Sequence, residues 1–335
     1  MATTTLQTRS TFSPVPIAAA SPLWTRWREP LGAVLVATEG SPESDAAVRV
    51  AAELARERGA RPEVLTVVDP LPPLSAGLDP IAASAAAEVY LLEPKADRLA
   101  RITRQLSATD PACADWPIDL RLGVPAALIT DEATQRDVRL VVMGVRSHTI
   151  FERVFRDETT LRVMRRAAVP VLAVTRALTT LPTRVTVGVD FSRASMHAAQ
   201  AAASLVADGG TLSLVHVQPQ GDFAAREATE GLGVIYVQGV AAAFARLRAE
   251  LRVPPDVRVE TSYVQGDSAA ELLDFVERTG AELLAVGSQR HSAASRMLLG
   301  SVTTSLTRAA RCSLLVTPPA PPVGWRAGTS RPADL

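Results

Sequence analysis

Near the C-terminus two glycines, an arginine and a serine stand at a spacing suited to holding an anion: Gly287, Arg290, Gly300 and Ser301. Gly287 ends a short apolar run, 283–286 (LLAV), and a polar loop follows over 288–296. Gly300-Ser301 then opens a stretch in which Val302, Leu306 and Ala309 or Ala310 share one helical face. A second apolar run, 314–316 (LLV), closes the unit before Pro318-Pro319. Glycine lets an anion approach backbone N–H groups, and a helix start supplies unpaired donors with a partial positive charge. Upstream, Asp190 ends the run 185–190 (VTVGVD), with Gly188 and Val189 just before it, and offers a carboxylate to ribose hydroxyls or an exocyclic amine. Val217 and Gly266 end two further runs.

Each feature has a plainer rival. Asp190 at a strand end is otherwise a turn residue that caps the next helix, and Gly300-Ser301 alone is an ordinary helix start. His148 and His291 read as solvent-facing loop residues, and His216, between apolar neighbours, as a hydrogen-bonded core residue. Arg146, Arg153 and Arg156 either bind an anion or neutralise Asp157 and Glu158.

Other chemistries lack their residues. A Walker loop needs Gly-Lys-Ser/Thr, and the only lysine, Lys95, lies in Glu-Pro-Lys-Ala. No GxGxxG follows either first strand, no His/Cys cluster has metal spacing, and GxSxG and HExxH are missing. The 35 basic and 35 acidic residues balance to zero net charge, which gives no reason to expect a nucleic-acid partner. A hydrophobic share of 47% against 21% charged describes a globular chain, and no apolar run approaches a membrane span. Cys113 and Cys312 form no CxxC, so a reduced, cytoplasmic setting is expected, with Cys312 a small core residue at a strand start.

The elements that must position these residues occur twice. The layout of 281–317 is repeated over 140–175, with Gly144 in place of Gly287, 287 − 144 = 143 residues earlier. VLVATEGS at 34–41 faces VTVGVDFS at 185–192, with Glu39 opposite Asp190, and VLTVVDP at 64–70 faces SLVHVQP at 213–219. Landmarks in one order at nearly one spacing indicate a duplicated domain. The halves are expected at 31–176 and 183–317, between an N-terminal arm at 1–30 and a tail at 318–335. Within the first, strands are expected at 33–38, 64–68 and 118–122, and helices from Ser41-Pro42-Glu43 to Arg58, over 81–106, and over 125–136. The second repeats the order, with strands at 185–190, 212–217 and 257–264 and helices at 192–207, 234–251 and 267–278. Apolar strands alternating with helices give an α/β fold, a parallel sheet covered on both faces whose ligands bind beyond the strands' carboxyl ends.

These motifs resemble the universal stress proteins, and the whole chain, over about 32–317, looks like their tandem two-domain form. The quoted pieces are VTVGVDFS, SLVHVQP, YVQGDSAAELLDF and the G-x2-G-x9-G-[ST] phosphate motif at Gly287 to Ser301. The resemblance implies two five-stranded Rossmann-like sheets of the adenine-nucleotide alpha-hydrolase type, strand order 3-2-1-4-5, and a site for ATP, AMP or ADP with Mg carried on the phosphates. It places Asp190 at the adenosine, the Val217 backbone at the adenine edge, Gly287 against the ribose, and Gly300, Ser301 and Val302 at the phosphates, with Gly188, Val189, Gly266 and Arg290 also counted as nucleotide-binding. It also implies an intramolecular pseudo-dimer through 171–174 and 314–316, with a further homodimer open.

The departures matter too. Arg290 replaces the motif's second glycine and either obstructs the loop or adds a charge-assisted contact. In the first half Glu39 replaces the aspartate, Ser147 the second glycine, and Asp157-Glu158 the closing Gly-Ser. Two carboxylates there repel a polyphosphate, so that half is expected to be a structural partner. Three functions compete: a non-catalytic nucleotide-binding regulator of a stress response, a slow ATP hydrolase or phosphotransferase, and an interaction module without nucleotide. With no lysine or acidic base in the phosphate loop, the first is favoured over the second.

Overall fold

The computed structural model describes residues 30–69, 80–145, 158–219, 232–288 and 300–318, with 80–94, 158 and 232–235 described by their backbone alone. The first half contains β1 (Gly32–Ala37), α1 (Asp45–Arg58), β2 (Ala60–Val68), α2 (Pro80–Thr109), β3 (Ile118–Leu122), α3 (Pro125–Gln135), β4 (Leu140–Gly144), α4 (Glu158–Arg166) and β5 (Val171–Val174). The second contains β6 (Arg184–Gly188), α5 (Arg193–Ala203), β7 (Thr211–Gln218), α6 (Leu232–Glu250), β8 (Arg258–Gln265), α7 (Ser268–Thr279), β9 (Leu283–Gly287), α8 (Ser301–Ala309) and β10 (Ser313–Thr317).

The strands form one sheet, ordered β3-β2-β1-β4-β5-β10-β9-β6-β7-β8. Each half therefore contributes five parallel strands in the order 3-2-1-4-5, as the resemblance implied. The joint between them, β5 against β10, is antiparallel and pairs Leu172 with Leu315. Because 315 − 172 = 143, the offset that relates Gly144 to Gly287, this residue meets its own counterpart, as across a two-fold axis. Ser313 Oγ accepts the Thr175 N–H at 3.1 Å, and Arg58 reaches across to the Val206 carbonyl and Asp208, 2.8 and 2.7 Å away.

Side-chain alternation divides the core. Val34, Val36, Val185, Val187, Leu212 and Leu214 face α1, α2, α5 and α6, while Leu35, Val141, Val215, Val217, Leu284 and Val286 face α3, α4, α7 and α8. Both layers run across the joint between the halves. A fully buried leucine or valine contributes about 1.5–3 kcal/mol, so strands buried on both faces hold the carboxyl ends of the sheet in fixed register.

Some boundaries differ from the sequence reading. Helix α1 starts at Asp45 with Ser44 as N-cap residue, not at Ser41-Pro42. The reason is a buried network: Thr38 Oγ1 lies 2.7 Å from Ser44 Oγ and 2.8 Å from Gln105 Oε1, with one proton to share between them, and Gln105 Nε2 donates to Ser44 Oγ and the Ser41 carbonyl, each at 3.0 Å. Strand β2 begins at Ala60 because left-handed Gly59 (φ 60°) ends α1 and hands the chain directly to it. Helix α5 stops at Ala203, where Ser204 Oγ turns back to the Gln200 carbonyl. The arm at 1–29, with Trp24 and Trp27, and the tail from 319 lie outside the described residues.

Candidate functional site

Strand β6 ends at Gly188, and Val189 N–H still reaches the Val215 carbonyl (2.8 Å), so Asp190 is carried just past the sheet edge. There the chain makes a tight turn: Ser192 N–H donates to Asp190 Oδ1 (3.0 Å), and Asp190 N–H donates to Ser195 Oγ (3.3 Å). Ser192 caps α5 by accepting the Ser195 N–H, as its sequence position predicts. Neighbouring β7 runs through Val215, His216 and Val217 to its end at Gln218, and β9 on the other side of β6 ends in Val286 and Gly287. Strand order reverses between these neighbours, the place where open parallel sheets take ligands.

Beyond the reversal lies a cavity of about 350 Å³. Gly188, Val189, Asp190, Val217, Gly287, Gly300, Ser301 and Val302 all line it. Ser195, Ser268, Leu272 and Thr303 line it too, and none of these four was singled out from sequence. Ser195 had a signal, three residues after a cap serine; Ser268 and Leu272 depend on how α7 crosses the sheet. Gly266 does not line the cavity. Its N–H pairs with the Gln218 carbonyl (2.9 Å), and at φ 155° it turns the chain into α7, where a Cβ would strike Glu271. Arg290 and His291, and in the first half Arg146, Ser147, His148, Arg153, Arg156 and Asp157, lie outside the described residues.

The anion end is set by α8. Its N-cap residue, Gly300, supplies no side-chain cap, and a Cβ placed there would meet nothing within 4 Å. The first amides of the helix have no acceptor within it, and Ser301, Val302 and Thr303 line the cavity. The apolar end is formed by Val189, Val215, Val217, Leu272 and Val286. Leu272 packs so closely over β6 that a Cβ on Gly188 would lie 2.9 Å from its Cδ1. One wall thus suits a flat apolar group, one suits negative charge, and Asp190 lines the same cavity.

Two residues do more than sequence reading assigned. Gly287 lines the cavity, but its missing Cβ chiefly admits the start of α5: that atom would lie 2.4 Å from Ala194 C and 2.7 Å from Ser195 N. Gly144 gives α1 the same passage, with Glu43 O 2.6 Å away. His216 is buried and hydrogen-bonded, as expected, through Nδ1 to the Val189 carbonyl (2.8 Å) and Nε2 to Tyr236 OH (3.1 Å), yet it also borders the cavity. Its Nδ1 carries the proton, because the Val189 carbonyl can only accept.

The first half holds its corresponding turn differently. Glu39 accepts from Ser41 Oγ (2.8 Å), and Gln105 of α2 reaches Asp45 Oδ1 (2.6 Å) as well as the Ser44 network. Helix α4 opens at Glu158, the counterpart of Ser301 at an offset of 143. Among the described residues no group of three His, Cys, Asp or Glu side chains could hold a metal, and no helix is long and apolar enough to cross a membrane.

A family model described as the universal stress protein family matches residues 31–175 and again 182–318. The chain belongs to the universal stress protein family. A curated relative, universal stress protein YxiE of Bacillus subtilis strain 168, is 35% identical over 60 residues, spanning 18% of this chain and 40% of that relative's length. A universal stress protein structure from Archaeoglobus fulgidus DSM 4304 superimposes over 85% of this chain and 98% of its own, with 20% identity and a TM-score of 0.60, which supports the doubled fold. Another universal stress protein, crystallised in complex with cAMP, matches 44% of this chain and 98% of its own at 21% identity and a TM-score of 0.28.

Proposed function

We propose that this universal stress protein is a two-domain nucleotide-binding regulator, with domains at 31–176 and 183–317, that holds ATP, or ADP or AMP, in its second domain and performs no chemistry on it. The observation that carries this reading is the convergence of the Asp190 carboxylate, the end of β7 at Val217 and the uncapped start of α8 around one cavity at the strand-order reversal. An adenine against Val217 and Leu272, a ribose near Asp190 and phosphates on the amides of Ser301 to Thr303 match the three walls in order. Magnesium, if it accompanies the nucleotide, rides on phosphate oxygens. The described side chains offer it no cluster of their own.

The first domain serves as a structural partner. Its acid is one methylene longer and held by Ser41, and a carboxylate residue, Glu158, opens the helix where the second domain has Ser301. The test is isothermal titration of the full chain with MgATP, with native mass spectrometry for stoichiometry. One nucleotide per chain, bound measurably more weakly by Asp190→Ala, is expected; two per chain, or saturable binding indifferent to Asp190→Ala, refutes the assignment. Product release measured at protein excess separates a regulator from a slow hydrolase, and a regulator releases none.

A further inference from the structure

Phe191 stands directly after Asp190 with φ 60°, one of two non-glycine residues in the left-handed region among those described. For a bulky aromatic that conformation is costly, and it persists only where the surroundings impose it. In the first half the same place, one residue after Glu39, is filled by Gly40 at φ 74°, for which the conformation carries no strain. The second half therefore keeps the turn while adding a ring, and the ring has a defined seat. Its centroid lies 4.8 Å from His216 and 5.1 Å from Phe244, edge-on to the latter at 81°. His216 is tied to the Val189 carbonyl and to Tyr236 of α6, and its ring stacks toward Tyr263 of β8 at 6.1 Å.

The residues on either side of Phe191 are thus fixed at two points. Val189 is held through His216, and Phe191 is clamped between β7 and α6. Asp190 between them has little freedom to turn, and its Oδ1 is set by the Ser192 N–H. We infer that Phe191 is a positioning residue: packed against His216 and edge-on to Phe244, it holds the backbone strained so that Asp190 stays at the cavity wall. This rests on the nucleotide reading of that cavity, and the two can fail separately.

The test uses the full chain with Phe191→Gly, Asp190→Ala and the double variant. Phe191→Leu, which keeps bulk without the ring, serves as a second probe should the glycine variant not fold. Contacting residues that act as a unit couple strongly, so Phe191→Gly is expected to weaken MgATP about tenfold in the wild-type background and by no more than about twofold when Asp190 is already alanine. Equal weakening in both backgrounds overturns the inference, because the ring would then act on the ligand or on stability at large. Amide exchange without ligand, read by NMR, gives an independent answer. The Ser192 amide should exchange about tenfold faster in either Phe191 variant, with the amides of β5 and β10 unchanged. Unaltered exchange at Ser192 refutes positioning whatever nucleotide does, while a wild-type chain that binds no nucleotide refutes only the function of the cavity.

Discussion

Replacing Gly300 by aspartate should stabilise the protein and impair its ligand binding, two effects of opposite sign from one side chain. The substitution gives the start of α8 the chemistry that Asp157 carries at the same place in the first half. Gly300 has φ −54° and ψ 156°, open to any residue, and no atom lies within 4 Å of the Cβ that would be added, so the fold has no steric objection. A carboxylate there caps amides that glycine leaves uncapped, for a gain of a few tenths of a kcal/mol over glycine, with about 0.3–1 kcal/mol more from the helix dipole. In a chain of this size that raises the melting temperature by about 1–3 °C. Against a phosphate on the same amides, like charges about 4 Å apart repel by about 1 kcal/mol in water and about 4 kcal/mol at the edge of a protein. Taking about 2 kcal/mol at this open cavity, MgATP binds about thirtyfold more weakly. Calorimetric titration and thermal melting of one preparation read both effects, and adenosine, which lacks the phosphates, is the control that should bind both proteins equally. If Gly300→Asp melts higher yet binds MgATP as tightly as the parent, the phosphates do not sit on α8 and the orientation of the ligand is wrong.

Gly287→Ala should cost about 1–3 kcal/mol or more in urea unfolding, because its Cβ would meet the backbone of Ala194 and Ser195 at 2.4–2.7 Å and backbone cannot swing aside. Leu315→Ala removes a side chain that is 0% exposed at the joint of the two halves and should destabilise the chain by about 2–5 kcal/mol in the same assay. Burial pushes the Cys113 and Cys312 thiols up from 9.0 to about 11, with Asp110 adding to the effect at Cys113. The folded state then keeps protons that the unfolded state releases, so this contribution is intact below pH 9 and is lost as pH rises to about 11, by on the order of 2 kcal/mol per thiol. Equilibrium unfolding at pH 8 and pH 10.5 checks the sign. A Cys312→Ala variant with the same alkaline loss as the parent would refute this account for that thiol.

The fold was legible because its signals were periodic and doubled. Apolar runs at matched spacing marked both sets of strands, and the expected end of α1 at Arg58 and start of α7 at its cap residue Asp267 are where the structure has them. Cavity-lining residues placed by their backbone position, such as Val217 and Gly300, could be read because a strand end or helix start fixes where they stand. What stayed hidden depends on side chains meeting across the sequence. Gln105 reaches Ser44 from 61 residues away and moves the start of α1, which no local pattern at Ser41-Pro42 announces. Phe191 looks like a core aromatic, and its left-handed φ follows only from where His216 and Phe244 stand. Gly266 looked like Gly287, a glycine at a strand end, but it borders α7 and not the strand-order reversal.

The meeting of Leu172 with Leu315 sets how the protein responds to dilution. Two separate chains joined along such an edge come apart as their concentration falls. Here both edges belong to one polypeptide, so the joint closes as an intramolecular event and stays closed at any copy number. A cell making a few molecules of this protein obtains the same ten-stranded assembly as one making thousands.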